Sequence, residues 1–165
     1  MKATIIGILL IINLILQSTL FQYFAIFGVL PNTALVLIVS ISIFTGKGKG
    51  AITGFVAGLL QDIIFGKMVG LNAMIYMLIG YTMGSINEKL YKDNPIVPIL
   101  LTAASTVAFE TINMVFLYLM RYRIELFNVF KNMLIIEVLY NSFLSIFIYL
   151  LISKLYKTNR LKKRY

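Results

Sequence analysis

The chain has no cysteine and no histidine. No disulfide framework is possible, and no Cys/His metal site. The commonest general base of hydrolases is missing as well. Charge is scarce: 13% of residues are charged, where ordinary soluble domains carry about 25%. Acidic residues are scarcest, with 6 Asp and Glu against 15 Lys and Arg. No cofactor and no metal are expected.

What fills the chain instead is apolar. Hydrophobic residues make up 60% of its 165 residues, and the mean hydropathy is +0.92. A chain this short cannot hide that much apolar side chain from water. Lipid resolves the conflict, so the expected class is an all-α polytopic transmembrane bundle. A net charge of +9 would raise nucleic-acid binding in a soluble protein. Here much of it sits in a C-terminal tail, where membrane topology explains it better and no nucleic acid is expected.

Six apolar runs predict six spans, at about 3–30, 31–45, 50–66, 71–87, 95–120 and 132–153. The first is too long for a signal peptide, lacks a small-residue cleavage pattern and is followed by more runs. The second and third are short against the roughly 20 residues that cross hydrocarbon. Local bilayer thinning or snorkelling of Lys47 would accommodate them. The break Gly46-Lys47-Gly48-Lys49-Gly50 favours a tight turn, and it leaves open a re-entrant hairpin in place of two spans. Arg121, Glu125 and Asn128 oppose Ile124, Phe127 and Phe130 at helical spacing, which suits either a short interfacial helix or a polar loop.

Six spans put both termini on one side. That side would hold Lys2, Lys47, Lys49, Lys89, Lys92 and the basic tail 154–165, against Lys67, Arg121, Arg123 and Lys131 opposite. The bias places both termini in the cytoplasm. The tail itself suits anchoring to anionic lipid.

Charges inside spans are expensive, at roughly 2.5–3.5 kcal/mol each on insertion scales. Asp62, Glu110 and Glu137 lie at or within spans, each with an amide close by: Gln61 beside Asp62, Asn113 three residues after Glu110, Asn141 four after Glu137. The last two spacings share a helix face. Asn13 and Gln17 form a further polar pair, and Asn72 lies across a turn from Asp62. These faces are expected to converge inside the bundle, with amides donating to carboxylates. Whether they only join helices, meet a partner's membrane helix or hold a small molecule stays open. Asp62 is the sole aspartate within a run, so the paired aspartates of an aspartyl intramembrane protease are missing, and no enzyme is expected. Glycines add a second pattern. Gly46, Gly50, Gly54 and Gly58 repeat every four residues, and Gly80 and Gly84 repeat the spacing. Such stripes let helix backbones approach closely, within one chain or between subunits.

The stretch 46–81 closely resembles the signature region of the rod shape-determining MreD family. The resemblance rests on Gly58-Leu59-Leu60-Gln61-Asp62, Gly70-Leu71-Asn72-Ala73 and Gly80-Tyr81, after a Gly-rich turn. Gln17-Ser18-Thr19-Leu20, Pro31-Asn32 and Tyr140-Asn141 look like the family too. The chain departs from it at Asn32, where the family usually has Asp after its turn proline. The resemblance implies a non-enzymatic subunit of the bacterial elongation machinery in the inner membrane. It implies association with the bitopic scaffold MreC and, through it, with RodA glycosyltransferase and a class B penicillin-binding protein, with MreB on the cytoplasmic side. It also implies a fold like the substrate-binding component of energy-coupling-factor transporters. The alternative is therefore a vitamin-capture subunit of such a transporter. Short outer loops, sparse in ligand-binding groups, argue against it. A homo-oligomer stays open.

Overall fold

A computed structural model describes residues 3–19, 23, 25, 28–65, 69–87, 94, 96–120 and 127–161. The fold is all-helical, with no β-strand among the described residues. Its helices are α1 (Ala3–Thr19), α2 (Thr33–Thr45), α3 (Lys47–Phe65), α4 (Leu71–Ser85), α5 (Ile96–Leu119) and α6 (Phe127–Leu161). The polar stretch that suited either an interfacial helix or a loop falls outside the described residues over 121–126, and from Phe127 onward it is already α6. That helix also runs past the apolar run to Leu161, so Lys154 and Lys157 ride on its last turns.

The second helix is the centre of the bundle. Every residue from Thr33 to Phe44 is buried, and α2 packs against each of the other five helices. A helix that is apolar all round is buried in protein or in lipid, and here protein encloses it. This also answers the question of its length. At about 1.5 Å per residue, 13 residues reach only about 20 Å, short of the roughly 30 Å hydrocarbon core. Enclosed by protein, α2 need not bridge two lipid interfaces, provided its ends are satisfied internally.

Both ends are satisfied. At the start, the Asn32 side chain accepts from the Leu35 amide at 3.1 Å, an N-cap of the usual kind. At the finish, Gly46 takes φ +87°, a conformation that disfavours any residue with a Cβ. Its N–H bonds to the Ser42 carbonyl at 3.0 Å. The next helix begins at Lys47, so one residue joins α2 to α3.

The closest packing in the molecule is between α3 and α4, and glycine creates it. A Cβ on Gly58 would fall 2.5 Å from the Ala73 backbone, and one on Gly84 2.6 Å from the backbone of Gly46 and Lys47. Gly54 faces the Tyr76 backbone even more tightly, and Gly50 and Gly80 face each other. The four-residue stripe is thus used within the chain. Gly46 is the exception: its place is conformational, since a Cβ there would meet only the Asn87 side chain, at an ordinary 3.5 Å.

The outer surface is strongly apolar. Ile8, Ile11 and Ile15 on α1, Ile52 and Ile63 on α3, and Leu139, Phe143 and Phe147 on α6 are all largely exposed. Water would not tolerate such a continuous surface; hydrocarbon solvates it. Two helices, over Ile96–Phe116 and Met133–Thr158, are long and apolar enough to cross a membrane, and Ala3–Thr19 and Thr33–Thr45 are shorter apolar helices.

Candidate functional site

Two polar centres lie within this apolar body. The first is Asp62, near the end of α3 and only 1% exposed. Its carboxylate accepts from the backbone N–H groups of Gly70 at 2.8 Å, Ala73 at 3.1 Å and Asn72 at 3.3 Å. These amides open α4, whose N-cap is Gly70 at φ +106°, with no side chain to cap the helix. Asp62 therefore caps the next helix from eight residues upstream. A helix start leaves several N–H groups without intrahelical partners and carries partial positive charge, so a buried carboxylate is stabilised there. The sequence pointed to Gln61 and Asn72 side chains as donors. The structure uses main-chain amides instead, with Asn72 contributing its backbone N–H.

The second centre joins four helices at the Asn32 end of α2. The Asn32 N–H donates to Asn141 Oδ1 at 2.8 Å. Asn32 Oδ1 takes both the Leu35 amide and the Tyr76 hydroxyl, the latter at 2.8 Å. Asn141, fully buried on α6, donates through Nδ2 to Thr106 Oγ1 at 3.2 Å and to Glu137 Oε1 at 3.3 Å. Glu110 of α5 and Glu137 of α6 lie within hydrogen-bonding reach of each other. The Tyr76 ring stacks on Phe109, with centroids 4.9 Å apart, while its hydroxyl also lies within reach of the Gln61 side chain. The polar atoms of Asn32 and Asn141 are matched by neighbours, which is the condition for burying such groups.

The expected convergence is thus divided. Gln61, Glu110, Glu137 and Asn141 meet in the second centre, and the i, i+4 pairing of Glu137 with Asn141 is made. Asp62 and Asn72 belong to the α4 cap. Gln17 and Asn13 line a cavity of about 10 Å³ between α1, α2 and α3, alongside Gln61, whose Oε1 is buried without a hydrogen bond. Asn113 stays half-buried on α5. Sequence reasoning marked Asn32 only as a departure from the family pattern, and it passed over Tyr76, Thr106 and Phe109. Tyr76 and Phe109 read as ordinary apolar positions of their helices.

Chemically, the arrangement is a clasp. Among the described residues no group of three or more His, Cys, Asp or Glu is gathered to hold a metal. The bonds of the clasp hold the start of α2 to α4, α5 and α6, and the α3–α4 hairpin to itself. A family model described as rod shape-determining protein MreD matches residues 1–159. No curated protein and no solved structure matches the chain.

Proposed function

The chain belongs to the rod shape-determining MreD family, and from that premise we propose that it is a non-enzymatic, multi-pass subunit of the bacterial cell-elongation complex. Family membership carries the role in rod shape determination and the association with the membrane. The finer reading is ours: six helices crossing or embedded in the inner membrane, both termini cytoplasmic, binding an MreC-like bitopic scaffold and supporting peptidoglycan synthesis through it. RodA-type glycosyltransferase, a class B penicillin-binding protein and MreB are then indirect partners.

The observation that carries this reading is the family match over almost the whole chain. The structure supports a scaffold role in particular, because its polar residues are spent on internal bonds. Asp62 is consumed by three backbone amides and Asn141 by three partners. What remains outward is a largely apolar surface suited to lateral contact with membrane helices.

The test is complementation. A rod-shaped bacterium depleted of its own family member should regain rod shape when this chain is expressed and inserted. Cells that stay round despite normal membrane levels of the chain would count against the proposal.

A further inference from the structure

The first and third helices run side by side and in the same direction, yet they do not close along their first halves. Ala3, Ile6, Gly7 and Leu10 on α1 and Ile52, Thr53 and Val56 on α3 line an open apolar groove of about 380 Å³. Further along, the same two helices come together around the 10 Å³ cavity that begins at Leu10. The groove is therefore blind at its inner end. Its span, about seven residues of each helix, is about 10 Å, most of the depth of one leaflet.

Its floor is set by a missing side chain. A Cβ on Gly7 would touch nothing within 4 Å, so this glycine, unlike those of the α3–α4 contact, is not required by packing. The open end is polar. Exposed Lys49 lines the groove and also a second hollow of about 460 Å³, formed with Lys47, Gly48, Ser85 and Asn87. The same place is the start of α3, whose first turn contains no acidic residue, so partial positive charge from the helix adds to that of the lysines.

We propose that the groove binds one anionic phospholipid, with an acyl chain along α1 and α3 and its phosphate at Lys49 and Lys47. An apolar slot that opens beside two cations matches the two ends of such a molecule. Small-residue stripes favour close helix contact; α1 offers only Ala3 and Gly7 here, while α3 has given its stripe to α4 and presents the exposed Ile52 and Val56. The adjoining lysines favour an anionic lipid over a partner's apolar helix. This inference rests on the reading of α1 and α3 as membrane-embedded helices.

The chain has no tryptophan, so one can be introduced as a reporter. Ile52→Trp places it in the groove, and Ile64→Trp, an exposed position at the far end of α3, serves as control. Each variant of the full chain is reconstituted with trace brominated phosphatidylglycerol or brominated phosphatidylcholine, and fluorescence quenching is read. The groove reporter should show about a fivefold apparent preference for the anionic lipid, the effect expected of one lysine at a membrane surface. The control should show none. Adding Lys47→Gln and Lys49→Gln to the groove reporter should abolish the preference while leaving quenching by both lipids. Adding Gly7→Leu, whose Cβ has nothing within 4 Å and whose side chain takes up space in the slot, should weaken quenching by both. Equal preference at the two reporters overturns the proposal. So does a groove reporter that neither lipid quenches beside a quenched control, because protein would then occupy the slot. An unquenched control shows instead that α3 is not in lipid, and the membrane reading falls together with the proposal.

Discussion

At Asp62 the number of donors decides what a substitution does. Three backbone N–H groups converge on its two oxygens. Asp62→Asn keeps one oxygen and turns an NH₂ toward those donors, so at least one amide loses its acceptor. The expected loss is about 1–3 kcal/mol. Asp62→Leu strands all three and should lose about 3 kcal/mol or more. Thermal melting in detergent should rank parent, Asn and Leu in that order, and an Asn variant as stable as the parent would show that the cap matters little. The second centre has its own ranking. Tyr76→Phe removes one bond but leaves Asn32 Oδ1 its Leu35 donor, a loss of about 1 kcal/mol. Asn141→Leu strands the Asn32 amide and takes one donor each from Thr106 and Glu137, so about 3 kcal/mol is expected. The reverse order in melting experiments would contradict the clasp. Sequence spacing made the Glu137–Asn141 bond legible, because i, i+4 residues share a face. It could not show the donors of Asp62, since backbone amides at a helix start look alike in every sequence. Nor could it single out Tyr76, whose hydroxyl matters only because the fold brings Asn32 to it.

Among elements, the α3–α4 hairpin is the one most fully written in the sequence. The glycine repeat announced a close contact, and the structure supplies its other side: the backbones of Ala73 and Tyr76 opposite Gly58 and Gly54, and Gly80 opposite Gly50. Backbone cannot yield as a flexible side chain can. Gly54→Ala should therefore destabilise by about 1–3 kcal/mol, the usual range for overpacking. Gly48→Ala, on the same helix but with nothing within 4 Å, should be neutral or slightly stabilising through helix propensity. Comparing folded yield and melting of the two separates packing from propensity, and equal behaviour would remove the close contact from the account. The short α2 was harder to read. Its apolar run, bounded at 31–45, marked its place in the chain, but not its enclosure by the other five helices. Hydropathy registers that a segment avoids water; it cannot say whether lipid or protein surrounds it. In lipid, burial of α2 brings no transfer from water. What holds it is packing and the bonds at its Asn32 end.

For the whole molecule, an apolar exterior and an internally bonded polar interior suit the proposed role of a subunit held beside other membrane proteins. The proposed six spans would put Lys2, Lys47, Lys49 and the C-terminal tail on one side, and the proposal makes that side cytoplasmic. A reporter enzyme fused after Tyr165 that works only in the cytoplasm should be active, and a cysteine introduced at Gly28, exposed beyond α1, should be labelled from the periplasm. The opposite pair of results would invert the topology. The central claim, a non-catalytic membrane subunit of the elongation complex, is met most directly by affinity purification of the tagged chain from native membranes in mild detergent, with mass spectrometry of what accompanies it. The account predicts a single-span periplasmic scaffold as the principal companion, with elongation enzymes following it. Recovery of transporter ATPases without any such scaffold would contradict it.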